Sequence, residues 1–291
     1  MEIKFATYFN NAKGAYSFVF DDGCYGESNG WMYEILRDVY EKTGVKIKIT
    51  SAQTINFISP GARDFWQNLY NEGYCDFSAH SVDHCLGYNK SADPEKLDYD
   101  ARASKEMLEK MYNTKVISFV TPGGGDDIEG IQVLKKYYYA NRNGHDRLND
   151  TYNMNLYDIG TFTANFGYSK KEYLDNIDLT IKNGGWTVKM NHWLTKKEQD
   201  THHSQRLDTF LPECMYLAEQ QLKNNLWVCS MNDMIKYIYI RDNSKIVTEK
   251  TENGTEAYLD CDLDKELFDI PVTIMVDNKP YNIALGEKIT L

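Results

Sequence analysis

Short apolar runs alternate with longer amphipathic stretches along most of this chain. Residues 16–20 form a largely apolar run, read as a buried strand. Residues 31–42 follow the helical period, with Ile35, Val39 and Tyr40 inward and Gly44 as the stop. Residues 45–49 alternate apolar and charged, as a half-exposed strand does. Further along, helices are predicted over 62–72, 101–111, 128–136, 170–182, 210–224 and 231–240. Strands are predicted over 116–120, 137–141, 186–191 and 227–230, with a strand end at 77–80. Some seven alternations of strand and helix imply parallel strands wrapped by helices, an α/β architecture. After Asp242 the texture changes. Alternating runs at 257–259, 272–276 and 281–284 are separated by the turn signals Asn253-Gly254 and Asp277-Asn278. The chain therefore divides into a main domain, 1–242, and a small β-rich extension, 243–291. At about 48 residues the extension is short for an independent module and reads as a packed appendage.

The chain has 291 residues, 42% of them hydrophobic, which is enough for one large domain with a sizeable core. No apolar run approaches the roughly 18 residues that cross a membrane. A net charge of −11 argues against nucleic acid or an anionic membrane surface as the main partner. The six cysteines, Cys24, Cys75, Cys85, Cys214, Cys229 and Cys261, include no C-x-x-C pair and read as reduced, mostly buried thiols. The start, Met1-Glu2-Ile3-Lys4, lacks the apolar core of a signal peptide. The expectation is a cytoplasmic chain, or an extracytoplasmic one whose leader has been removed.

Chemistry is concentrated where predicted strands end. Asp21 and Asp22 follow the run 16–20. His80 and His84 follow the strand at 77–80, and their four-residue spacing places both on one face if they form a helical turn. Pro122 and His192 follow later strands. In a β/α barrel, loops at such strand ends carry the active site. One carboxylate and two imidazoles can hold a divalent ion and leave it open to water, while the second carboxylate serves as a base. Alone, Asp21-Asp22-Gly23 is also an ordinary turn, and H-x-x-x-H is a weak signal. Ser81 stands where a zincin motif has its glutamate.

Together these segments resemble the polysaccharide deacetylase (NodB-homology, carbohydrate esterase family 4) proteins. Val19-Phe20-Asp21-Asp22-Gly23 resembles that family's T-F-D-D-G motif. The segment from Gly73 to His84 resembles its second motif, ending H-[ST]-x-x-H. Thr121-Pro122-Gly123-Gly124 is similar to a degenerate R-x-P-Y-G motif, and Trp186 to His192 to the last motif, an apolar strand ending in histidine. Trp227 to Ile238 is similar to the closing strand and helix. The likeness spans roughly residues 5–242. It implies a distorted, incomplete (β/α)7 barrel and a metal-dependent hydrolase that removes acetyl groups from N- or O-acetylated carbohydrate. Asp22, His80 and His84 would ligate the metal, most often zinc, with cobalt or nickel suited to the same ligands. Asp21 would be the general base and His192 the general acid. Val120 stands where the family's arginine supports the catalytic aspartate, and Gly123 where it has tyrosine. Arg142 is expected either to supply the missing guanidinium or to form a plain surface salt bridge. Gly123 can still lend a backbone N–H to an oxyanion. The altered third motif leaves open an amidohydrolase acting on a small non-sugar amide. A catalytically silent carbohydrate-binding barrel is the remaining alternative.

Weaker expectations concern the surroundings. His202-His203 read as an exposed loop or a lip to the pocket, and His145 and Asp146 as possible pocket lining. Among Trp31, Trp66, Trp186, Trp193 and Trp227, Trp193 is the candidate for sugar stacking and the others read as core.

Overall fold

The computed structural model describes residues 2–24, 27–84, 93–125, 128–152, 154–196, 203–252 and 254–291. Cys85, His202 and Asn253, singled out above, lie outside the described residues.

Seven parallel strands form a closed ring. They are β2 (Gly14–Phe20), β3 (Ile49–Gln53), β4 (Cys75–Ala79), β5 (Ser118–Val120), β6 (Ala140–Asp146), β7 (Ile159–Thr163) and β8 (Trp186–Asn191); β1 (Ile3–Phe5) lies outside it. β8 closes the ring on β2, from Ala15 opposite Trp186 to Phe20 opposite Asn191. Elsewhere the ring is thin. β2 meets β3 only at Val19 and Phe20, because β11 (Leu226–Val228) takes the other end of the same edge. β4 meets β5 only where Ala79 faces Phe119. This is the distorted (β/α)7 barrel.

Every residue of β2 is buried, and its alternation shows why the run lacks polar relief. Ala15 and Val19 pack inside the ring with Ala52, Ile117, Val120, Ala140, Ile159, Trp186 and Val188. Tyr16, Phe18 and Phe20 point outward into the layer of helices, against Met32, Leu36, Phe210 and Leu217. Helix starts and stops obey local chemistry. α1 spans Glu27–Thr43. α2 (Pro60–Asn71) begins at Ser59, whose hydroxyl accepts from the Ala62 N–H, and it buries Ala62, Trp66 and Leu69. α3 (Pro94–Tyr112) and α4 (Ile128–Leu134) flank β5. α5 (Lys170–Asn183) has a reciprocal Ser169–Glu172 capping box and ends on left-handed Gly184. α6 (Leu207–Leu222) and α7 (Met231–Asn243) complete the layer.

Two expected strands are displaced. The chain over 45–48 is irregular, and β3 begins only at Ile49. β3 is hard to read because Thr50, Ser51 and Gln53 are fully buried polar residues. Their needs are met internally: Thr50 donates to Asp76, Gln53 donates to Ser51, and Tyr112 donates to Gln53. β6 likewise starts three residues later than expected, at Ala140, and runs on to Asp146. β7, the short strand Ile-Gly-Thr-Phe-Thr, has no sequence signal of its own. Between β8 and α6 lie β9 (Trp193–Thr195) and β10 (Ser204–Arg206), paired in parallel.

The extension contributes β12 (Lys245–Thr251), β13 (Gly254–Asp260), β14 (Val272–Val276), β15 (Lys279–Ile283) and β16 (Lys288–Thr290). One sheet has the order β12-β13-β16 and the other β1-β14-β15. β1 therefore pairs with β14, Ile3 opposite Val276 and Phe5 opposite Ile274. Tyr237 of α7 donates to the Ala6 carbonyl beneath this sheet.

Candidate active site

Asp21 and Asp22 sit at the mouth of β2, His80 at the mouth of β4 and His192 at the mouth of β8, so barrel closure alone brings them together. Main-chain bonds fix the rim. The Asp21 N–H donates to Asn191 O, the Thr54 N–H to Asp22 O, and the His80 N–H to Gln53 O. The Trp66 indole donates to Gly23 O at 3.0 Å, pinning the turn from below.

Asp22, His80 and His84 each offer one ligand atom, and these atoms lie within 4.8 Å of one another. His80 Nε2 and His84 Nε2 are both 3.6 Å from Asp22 Oδ1. Donors sharing one tetrahedral ion at ordinary zinc bond lengths stand about 3.4 Å apart, so the trio fits a divalent metal. The ring of His80 is locked: Nδ1 lies 2.7 Å from the Val120 carbonyl, which leaves Nε2 as the free lone pair. Burial holds the His80 imidazolium far below its ordinary range, down to about 4, so the ring is neutral and ready to ligate.

The expected helical turn between His80 and His84 does not form. The segment is irregular, with Ser81 at φ 70° and His84 at φ 60°. These left-handed residues fold His84 back toward His80, ring centroids 5.0 Å apart and nearly perpendicular. Asp22 is left-handed too, at φ 76°. Three non-glycine residues in this conformation, each costing on the order of 1 kcal/mol, cluster around one point.

Arg142 is 2% exposed and its Nη2 bonds Asp21 Oδ2 in a buried ion pair. It is no surface salt bridge. In β6 it stands in register beside Val120. Burial pushes the Asp21 carboxyl up, but Arg142, His80 and His192 outweigh it and hold it below the ordinary carboxylate value. Asp21 Oδ1 is buried with no hydrogen-bond partner. His192 Nε2 lies 3.9 Å from Asp22 Oδ2.

All seven candidates, Asp21, Asp22, His80, His84, Gly123, Arg142 and His192, line one cavity of about 420 Å³. Its remaining lining includes Phe57, Thr121, Gly124, Gly144, Thr163, Met190 and His203. Gly124 and Gly144 touch: a Cβ on Gly124 would sit 2.8 Å from Gly144 Cα, so this wall is bare backbone. His203 is exposed, and its ring stacks on that of His192 at 5.5 Å beside the cavity. His145 and Asp146 are exposed and absent from the lining; His145 turns instead to Asp158. Trp66 and Trp186 are core, as expected. Phe57 and Thr163 are lining residues with no sequence signal, because the 3-10 turn Ile55–Phe57 and the five-residue strand β7 are too short to show a period.

No family model matches the chain, and no curated protein matches it. Solved structures do. A CE4 family pseudoenzyme from Bacillus anthracis matches at a TM-score of 0.50, 12% identity, 78% of this chain and 68% of that one. A mutant CE4 family pseudoenzyme with restored enzymatic activity matches at 0.50, 14% identity, 78% and 70%. A family 4 carbohydrate esterase from Streptomyces lividans in complex with acetate matches at 0.46, 14% identity, 74% and 92%. At these identities the likeness is one of fold: the chain carries the β/α barrel seen in CE4 family structures.

Proposed function

We propose that this protein is a metal-dependent hydrolase that removes acetyl groups from N- or O-acetylated carbohydrate. The observation that carries the reading is the convergence of Asp22, His80 and His84 within 4.8 Å beside an arginine-held Asp21 in one open cavity. Asp22, His80 and His84 would hold the ion, with zinc favoured by the mixed carboxylate and imidazole set and cobalt or nickel suited as well. Such an ion, when bound, would supply Lewis acidity to the acetyl carbonyl and lower the pKa of a water to about 7.

The protein's own groups do the rest. Asp21 is ionised at neutral pH because of Arg142, and it accepts the proton of the attacking water. The Gly123 N–H supports the developing oxyanion. His192 protonates the departing nitrogen or oxygen. A base and an acid lining one cavity, acting from opposite sides of the carbonyl, are what general acid–base hydrolysis needs. An amidohydrolase acting on a small amide would use the same groups, and the bare Gly124–Gly144 wall leaves room for it. A silent carbohydrate-binding barrel would need neither the ligand trio nor the buried Arg142–Asp21 pair.

The test is metal content by elemental analysis, followed by acetate release from chito-oligosaccharides and acetylated xylan. Asp21→Asn is expected to keep the metal and lose turnover by about 10²- to 10⁴-fold. Bound metal with no acetate release from either polymer would favour the small-amide reading. Protein that holds no metal would overturn both.

A further inference from the structure

We infer that Phe57 is a stacking platform that selects a sugar ring as the group beside the scissile bond, an inference that rests on the deacetylase reading above. Phe57 lines the same cavity as Asp21 and His192, yet it is 42% exposed. A lone exposed phenylalanine on a surface needs no explanation. This one stacks on a candidate metal ligand: its ring lies 5.9 Å from that of His84, with an interplanar angle of 18°. At that distance the two near-parallel rings are offset, so His84 orients Phe57 and leaves much of its ring accessible beside the cavity.

The ring is also held in place. The segment Ile55–Phe57 is a short 3-10 turn, closed by the Phe57 N–H donating to Thr54 O. Its preceding amides bond the loop that carries the histidines, Ile55 N–H to Ser81 O at 3.2 Å and Asn56 N–H to Val82 O at 2.9 Å. Val82 is in turn tied to Asp100. Phe57 therefore moves with His84 and meets the ligand already oriented, which lowers the ordering cost of binding. Apart from Met190 and the glycine backbone, the rest of the lining is polar: two carboxylates, a guanidinium, imidazoles and two threonines. A ligand matching it needs one flat apolar face for Phe57 and a polar rim for the rest. A pyranose ring, with its C–H face and its hydroxyl edge, has that character. A small aliphatic amide does not.

The experiment measures saccharide affinity by calorimetry in the metal-loaded Asp21→Asn protein, with an N-acetylated tetrasaccharide as probe. Phe57→Leu, which keeps an apolar filler over His84, is expected to weaken binding about fivefold or more, and Phe57→Trp to restore it. Metal affinity, measured on the same proteins, separates loss of the platform from damage to His84: it should stay constant across the series. Equal saccharide affinity in Phe57→Leu and its parent overturns the platform and leaves deacetylation standing. A loss that Phe57→Trp does not restore, or one that tracks lost metal, also overturns it. An Asp21→Asn parent that holds metal and binds no saccharide overturns the underlying reading.

Discussion

Arg142 stands directly beside Val120 in the barrel and bonds Asp21 across 121 residues of sequence. The guanidinium that holds Asp21 thus comes from the strand next to Val120, while Val120 gives its carbonyl to His80.

Removing that guanidinium should be costly in two ways. Arg142→Met strands a buried carboxylate, so folding stability should fall by about 3–5 kcal/mol. The Asp21 carboxyl should also rise, since the cation that favours its charged form is gone. Activity should then begin to fail at a higher pH on the acid side. Urea denaturation and a pH–rate profile report the two effects. The double variant Arg142→Met with Asp21→Asn should recover most of the stability. A single variant as stable as the parent would show that the pair is of no consequence to the fold.

Acid should destabilise the metal-free protein in a defined window. His80 protonates near 4 in the folded state against 6.5 ordinarily, because burial penalises its charged form. The unfolded chain therefore binds the proton first as pH falls. Stability should decline from pH 6.5 down to about 4 and then show no further contribution from this residue. The full effect is about 3 kcal/mol. Denaturation midpoints in chelator across that range, compared with His80→Gln, provide the check; a flat difference between the two proteins would contradict it.

A second buried ion pair lies away from the cavity. Lys189 Nζ is 2.6 Å from both Glu213 Oε2 and Gln205 Oε1, and Tyr16 donates to Glu213 Oε1. Both charged side chains are fully buried between β8 and α6. Lys189→Met alone should cost about 3–5 kcal/mol by leaving Glu213 uncompensated, whereas Lys189→Met with Glu213→Gln should recover much of it. Thermal or chemical unfolding of the three proteins would measure the coupling. Additive losses would mean the two charges do not sense one another.

The strands β2 and β8, buried on both faces, are legible from their closely spaced large apolar side chains, although Ser17 in one and Thr187, Lys189 and Asn191 in the other are polar. The site residues were legible for a related reason: they follow those runs directly, and their types are unusual there. β3 and β7 were not, since their buried polar groups find partners that are distant in sequence, as Thr50 does in Asp76. The same limit applies to Lys189, which reads as a solvent-facing position in an alternating strand until Glu213 is placed over it. The loop form of residues 80–84 was also hidden, because a left-handed serine or histidine carries no sequence mark. Phe57 joins the site through hydrogen bonds between two loops and its ring contact with His84, neither of which the sequence marks.

The pairing of β1 with β14 has a consequence for how the molecule is made. Ile3 leaves the ribosome long before Val276 exists to receive it. At ordinary elongation rates the first strand waits on the order of tens of seconds without its neighbour. The barrel can wind in the meantime, while β1 waits for β14 to emerge behind it. Completion of this small sheet therefore follows synthesis of the whole barrel, and a nascent chain stalled before β14 would display an unpaired, protease-sensitive β1.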